Sequence, residues 1–161
     1  CHTVLPDRME AATYLAAAAA TRGDVTLTNV RPEHLTAVLA ALERAGCTLT
    51  QQNGMLRLRC SRLRAAGPIR TAPYDGFPTD AQAPLMAAMA VAEGVTVFEE
   101  NLFEDRFRHV PALRALGAQI EEKHGHILCS GALHGGEVHL DYPSVGATEN
   151  VMMAACGEQR N

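Results

Sequence analysis

Three short stretches of the chain carry residues whose types and spacing could do chemistry. In APYDGFPTDAQ, residues 72–82, Asp80 stands just ahead of an alanine- and methionine-rich run. An aspartate there can accept backbone N–H bonds as a helix cap. It can also act as a general base if a substrate hydroxyl comes within hydrogen-bond reach. Taken as an isolated aspartate it is expected to cap, and the two roles are compatible. In FEDRFRHV, Arg106 and Arg108, together with the distant Arg8, could bind an anionic substrate through charge-assisted bonds. The same arginines could equally form a solvated face with Glu104 and Asp105. In YPSVGATEN, Ser144, Val145 and Gly146 place a small hydroxyl and a glycine at a helix start. Free amides and the positive dipole end there suit a phosphate.

Other reactive residues point to simpler roles. The five cysteines are odd in number and form no C-x-x-C pair, which predicts reduced thiols in a cytoplasmic protein, none in an activated setting. His124 and His126, with His134 and His139 downstream, could suggest a metal site, but the first pair brackets an expected hairpin turn, and a structural site needs four ligands in closed geometry. No metal or other cofactor is expected. Fourteen basic against eighteen acidic residues give a formal charge of −4, with both signs interspersed, so neither nucleic acid nor a membrane surface is an expected partner. Apolar runs such as Tyr14 to Ala20 are too short to cross a bilayer. The start at Cys1, with no methionine, predicts a processed product or a fragment.

An internal repeat supplies the elements that must position these residues. Gly23 and Gly94 are 71 positions apart, as are Gly46 and Gly117, and similar sequence surrounds each pair. Each copy reads as strand, helix, strand, helix and hairpin, a βαβαββ unit. In the first, Asp7 to Ala20 predicts a helix that Gly23 stops, and Asp24 to Val30 a strand. Pro32 opens a helix whose Leu35, Val38, Leu39 and Leu42 share one face. Thr48–Gln51 and Met55–Arg59 form a hairpin across Asn53-Gly54. The second copy repeats it with Gln119–Glu122 and His126–Cys129 about Gly125. A third begins with a strand at Glu137–Leu140 and a helix at Ser144–Ala155, then stops. Met86, Met89, Met152, Met153, Tyr14 and Phe98 are expected in the core. The predicted division is two units in residues 1–135, about 1–64 and 68–131, and a partial third in 136–161. An incomplete third unit predicts self-association or a complementary chain.

At FPTDAQAPLMAAMAVAEGVTVFEENLFEDRFRHVPALRALGA the chain resembles the UDP-N-acetylglucosamine 1-carboxyvinyltransferase family, whose pattern runs close to F-P-T-D-x-Q-A, A-E-G and E-x-x-F-E-x-R-F-x-H-V. VLPDRMEAATYLAAAAATRGDVTL and PSVGATENVMMAA resemble two further family signatures. The resemblance implies an α/β fold, an inside-out barrel of six βαβαββ units in two globular halves with the active site in the cleft. It also implies a cytoplasmic transferase of peptidoglycan synthesis, tied to cell wall biogenesis, cell shape and cell division. The enolpyruvyl group of phosphoenolpyruvate would pass to the 3′-hydroxyl of UDP-N-acetylglucosamine, releasing phosphate. On this resemblance Asp80 is the base at that hydroxyl. Thr79 and Leu102 contact the nucleotide sugar, Arg106 faces the substrates, and Ser144, Val145 and Gly146 bind the uridine diphosphate, with Asp7 and Arg8 nearby.

Two departures qualify what the resemblance implies. In the family the PSVGATEN segment precedes the LPDR segment, whereas here it follows, which points to rearrangement or truncation near Gly135-Gly136. The family's N-terminal lysine-asparagine pair, its loop cysteine and the arginine of its last unit have no counterpart here. The expectation is therefore either the family reaction or a catalytically incomplete fragment that binds the UDP-sugar or assembles with other chains. The shikimate-pathway enolpyruvyl transferase shares the implied fold but is not expected to carry F-P-T-D-x-Q.

Overall fold

A computed structural model describes residues 2–131, 133–140 and 142–157. In chain order the elements are α1 (Arg8–Ala20), β1 (Asp24–Thr28), α2 (Thr36–Arg44), β2 (Thr48–Gln52), β3 (Met55–Arg59), β4 (Ile69–Arg70), α3 (Gln82–Met89), β5 (Val95–Glu99), α4 (Val110–Ala115), β6 (Gln119–Lys123), β7 (His126–Ser130) and α5 (Val145–Gly157).

The strands of the two copies superpose in number as well as in kind. Shifting β1, β2 and β3 by 71 positions gives the bounds of β5, β6 and β7. Each trio pairs alike and antiparallel: β1–β3–β2 in one sheet, and β5–β7–β6 in a second sheet whose edge is extended by the parallel β4. Both hairpins close on two residues of positive φ, Asn53 and Gly54 in the first and His124 and Gly125 in the second. That is the type I′ geometry whose twist matches paired strands.

The first and second helices of the copies divide their work. α2 is amphipathic and buries Val38, Leu39 and Leu42, with Leu35 just ahead of it. α3 has no polar face: Gln82 and every residue from Leu85 to Met89 are buried. A helix apolar all round belongs inside a core, and α3 packs between α1 and α5 with β5 and β7 beneath it. The small residues Ala12, Ala16, Ala19 and Ala20 of α1 are buried on this side and let the helices approach closely.

Gly46 ends α2 at φ +92, where the Cys47 amide donates to the Leu42 carbonyl at 3.0 Å and the Gly46 amide to Glu43 at 2.9 Å. These bonds complete a Schellman cap. A Cβ at Gly46 would also sit 2.8 Å from the Arg62 carbonyl oxygen, whereas one at Gly54, φ +72, would meet nothing. Gly46→Ala is therefore expected to cost about 1–3 kcal/mol more than Gly54→Ala in urea unfolding, since only the first adds a backbone clash to the strain of positive φ. Equal losses would show that the clash is relieved by a shift.

Several expectations change. The leading strand of each copy forms only in the second, as β4. Among the described residues, residues 2–7 pair with no strand, and Val4 and Leu5 are exposed. Residues 137–140 likewise form no ladder, although Val138 and Leu140 are half-buried in the alternating manner of a strand. The first strand stops at Thr28 because Asn29 turns to φ 53. At the end of α1 it is Arg22, not Gly23, that takes the left-handed conformation, with the Gly23 amide bonded to the Ala18 carbonyl. Met86, Met89, Met153 and Phe98 are buried, but Tyr14 is 56% and Met152 62% exposed. Met152 lies on the solvent side of α5, away from the buried Ala147, Asn150, Met153 and Ala154. Tyr14 lies outside the stripe of Ala11, Leu15 and Ala19.

Candidate functional site

The three proline-led helix starts open at one end of the molecule. The Arg8 guanidinium at the start of α1 lies 5.1 Å from the centre of the Tyr74 ring, in the loop leading to α3. At the other end, a Cβ on Gly157, the last residue of α5, would lie 2.8 Å from the Ala20 carbonyl at the end of α1 and 2.9 Å from Val91 just past α3. α1, α3 and α5 therefore run parallel, and their positive dipole ends share one face of the fold.

The starts are not chemically alike. Asp7 caps α1, accepting from the amides of Met9 at 2.7 Å and Glu10 at 3.4 Å. Ser144 begins α5, its Oγ accepting from the Ala147 amide at 3.3 Å, and Ser144, Val145 and Gly146 are all exposed. Asp80 makes no capping bond. It lies within a single 3₁₀ turn, Thr79–Ala81, that leads into α3. The expected cap is absent, and the carboxylate, 66% exposed, instead accepts from Arg106 Nη2 at 2.5 Å, whose side chain is 38% exposed.

Arg106 is held by more than this ion pair. Its Nε donates to Thr79 Oγ1 at 3.1 Å, and the Thr79 hydroxyl in turn donates to Glu100 Oε2 at 2.8 Å. The other oxygen of Glu100 accepts the Thr71 hydroxyl at 2.8 Å and the amides of Leu102 at 2.8 Å and Phe103 at 3.1 Å. Burial raises the Glu100 pKa, but the bonds from Leu102, Thr79, Thr71 and Phe103 outweigh it and hold the carboxyl below its ordinary range. Arg106 therefore turns away from its acidic sequence neighbours toward Asp80. Arg108 follows the solvated-face reading and pairs with Asp105.

Behind the arginine, His109 is 6% exposed, with Nε2 3.3 Å from the Met86 sulfur of α3. Burial lowers its pKa to about 4. A hydrogen bond to the Arg106 backbone opposes that shift and the Arg106 charge adds to it. The ring is neutral at physiological pH and wedges the arginine segment against the central helix.

Of the residues singled out in the sequence, Thr79, Asp80, Arg106 and Leu102 come together in one network. Arg8 approaches the loop before it, and the Ser144–Gly146 start lies at the same end. Glu100 and Thr71 were not singled out. A signal was present: the repeat aligns Asn29 with Glu100, so the copies diverge where the second gains a carboxylate. Among the described residues no group of three or more potential ligands could hold a metal, and no helix is long and apolar enough to cross a membrane. Cys60 and Cys47 are buried side by side, and the hydrogen bond between them draws the Cys60 thiol below its ordinary range and pushes Cys47 up. Cys129 is raised to about 12 by burial. Cys1 lies outside the described residues.

Comparison with known proteins follows the same lines. A family model described as EPSP synthase (3-phosphoshikimate 1-carboxyvinyltransferase) matches residues 1–139. The UDP-N-acetylglucosamine 1-carboxyvinyltransferase of Myxococcus xanthus is 50% identical over 119 residues, covering 74% of this chain and 28% of that protein. UDP-N-acetylglucosamine 1-carboxyvinyltransferase 3 of Symbiobacterium thermophilum is 41% identical over 159 residues, 97% of this chain and 38% of its own length, so that match crosses the Gly135-Gly136 joint. The chain thus spans about a third of the length of the curated relatives it matches. Among solved structures, the enolpyruvyl transferase NikO from Streptomyces tendae superposes with a TM-score of 0.76 at 21% identity, over 97% of this chain and 38% of that one. EPSP synthase from Acinetobacter baumannii gives 0.70 at 16% identity, over 95% and 37%. These two likenesses establish the fold.

Proposed function

The chain belongs to the EPSP synthase (3-phosphoshikimate 1-carboxyvinyltransferase) family, and from that premise we propose that it supplies the nucleotide-sugar side of a UDP-N-acetylglucosamine 1-carboxyvinyltransferase, a cytoplasmic enzyme of peptidoglycan synthesis. The enolpyruvyl group of phosphoenolpyruvate is transferred to the 3′-hydroxyl of UDP-N-acetylglucosamine, and phosphate leaves. Residues 1–64 and 68–131 are two repeats of one globular half, the second with the full βαβαββ series and the first without its leading strand, and 136–161 belong to a third. The names of the relatives at 41–50% identity support this substrate over a shikimate phosphate.

The observation that carries the reading is the Asp80–Arg106 pair at the end where three parallel helices open. Asp80 accepts the proton of the sugar hydroxyl as its oxygen attacks the enolpyruvyl carbon. Its carboxylate is exposed and uncapped, so it is free to meet a substrate. Arg106 neutralises the carboxylate at rest and faces the anionic substrates when they bind. Thr79 and the Leu102 backbone contact the nucleotide sugar. Ser144, Val145 and Gly146 at the open start of α5 hold the diphosphate through amides, with Asp7 and Arg8 at the neighbouring start.

Calorimetric titration of the chain with UDP-N-acetylglucosamine tests this, with shikimate 3-phosphate as the competing ligand. Saturable binding of the nucleotide sugar, weakened at least tenfold by Arg106→Ala, is the expected result; binding of shikimate 3-phosphate alone would overturn it. Phosphate release from phosphoenolpyruvate in the presence of the sugar would assign the whole reaction to this chain, and binding without release would assign it the sugar-binding part.

A further inference from the structure

We propose that Glu100 is a positioning residue for the transfer, acting through the Thr79 hydroxyl to aim Arg106 and Asp80 at the acceptor sugar. The inference rests on the reading above. Its basis is that one carboxylate gathers groups from three separate segments: Thr71 beyond β4, Thr79 at the turn before α3, and the Leu102 and Phe103 amides beyond β5. Thr71 is itself fixed, 1% exposed, its amide donating to the Glu99 carbonyl at 3.0 Å and its hydroxyl accepting from the Asn101 amide at 2.8 Å.

The direction of one hydrogen bond gives Glu100 its effect. A hydroxyl has a single proton to donate. Because Glu100 Oε2 can only accept, it takes the Thr79 proton, and the Thr79 oxygen lone pairs are left for Arg106 Nε. That orientation fixes the guanidinium plane and leaves Nη2 for Asp80. Neighbouring Glu99 has no such part; it pairs with Arg70 across the parallel strands.

Glu100→Gln separates this role from a general structural one. The Leu102 and Phe103 amides can only donate, so the amide oxygen of glutamine must stay toward them, and its NH2 must face Thr79. The bond to Thr79 then reverses, the NH2 competes with Arg106 for the hydroxyl oxygen, and the loop contacts survive. Thr79→Val removes the same link from the other side without touching the loop contacts, and Thr79→Ser restores it.

Two readouts on the chain test the idea. The first needs no substrate: the Arg106 Nε–H resonance, assigned by NMR, should exchange with solvent about tenfold faster in Glu100→Gln and in Thr79→Val, and at the original rate in Thr79→Ser. The second is affinity for UDP-N-acetylglucosamine, expected to fall about 5- to 30-fold in either variant, with the double variant no worse than the single ones because both break one link. An Arg106 Nε–H signal and an affinity unchanged by Glu100→Gln and Thr79→Val would overturn the proposal, as would strictly additive losses. If the unaltered chain fails to bind the nucleotide sugar, it is the functional reading that fails; the exchange measurement still decides whether Glu100 orients Arg106.

Discussion

Replacing Asp80 by asparagine in a complete enolpyruvyl transferase that carries this segment is expected to lower turnover by about 10²–10⁴-fold, the usual range for loss of a positioned general base. Asparagine keeps the shape but cannot accept the proton of the attacking hydroxyl. The same change should leave folding nearly untouched, because Asp80 caps nothing and, among the described residues, its ion pair is with a part-exposed arginine. Loss of such a pair is worth below about 1 kcal/mol. Rate and thermal midpoint therefore give opposite answers in one experiment: a large fall in the first, a small change in the second. Near-normal turnover would reduce Asp80 to a partner for Arg106.

A second large effect concerns acid. His109 has a folded-state pKa of about 4 against an ordinary 6.5, chiefly through burial. The unfolded chain binds a proton as pH falls through 6.5 while the folded chain stays neutral until about 4. Protons thus favour the unfolded state throughout that window, and stability is complete above it and lost on acidification. The loss between pH 7 and pH 4 is about 3 kcal/mol. Urea unfolding of the chain and of His109→Gln at several pH values would isolate this share, since glutamine does not titrate. The unaltered chain should lose about 3 kcal/mol more than the variant over that range. Parallel curves would show that the ring is protonated in the fold.

Much of this architecture was legible in the residues, and the reasons differ by element. The 71-residue spacing foretold the paired hairpins because turns that demand positive φ recur in the sequence, Asn53-Gly54 and His124-Gly125, and alternating strands flank them. α2 declared its inward face through helical spacing. The leading strands were not legible: a strand exists only through a ladder partner, and the apolar residues of 2–7 and 137–140 carry no information about whether one is present. Tyr14 and Met152 were misplaced because α1 and α5 are rich in apolar residues all round, and which side faces α3 is a tertiary fact.

The site divided in the same way. Asp80 and Arg106 drew attention by type, yet the residues alone favoured a cap for Asp80 and left Arg106 between an anion contact and a solvated face. Arg106 has Glu104 and Asp105 beside it in sequence, and its choice of Asp80 depends on the Thr79 and Glu100 bonds. The family resemblance supplied their pairing with a substrate. It did not supply Glu100, whose partners come from three loops.

Asp80 stands on the turn leading into α3, which is buried from Leu85 to Met89, whereas Arg106 sits on an exposed surface segment. The pair thus divides anchorage from adaptability. On the reading proposed above, the proton acceptor is anchored beside a buried helix, and adjustment that brings substrates to the reacting geometry falls to the arginine's side.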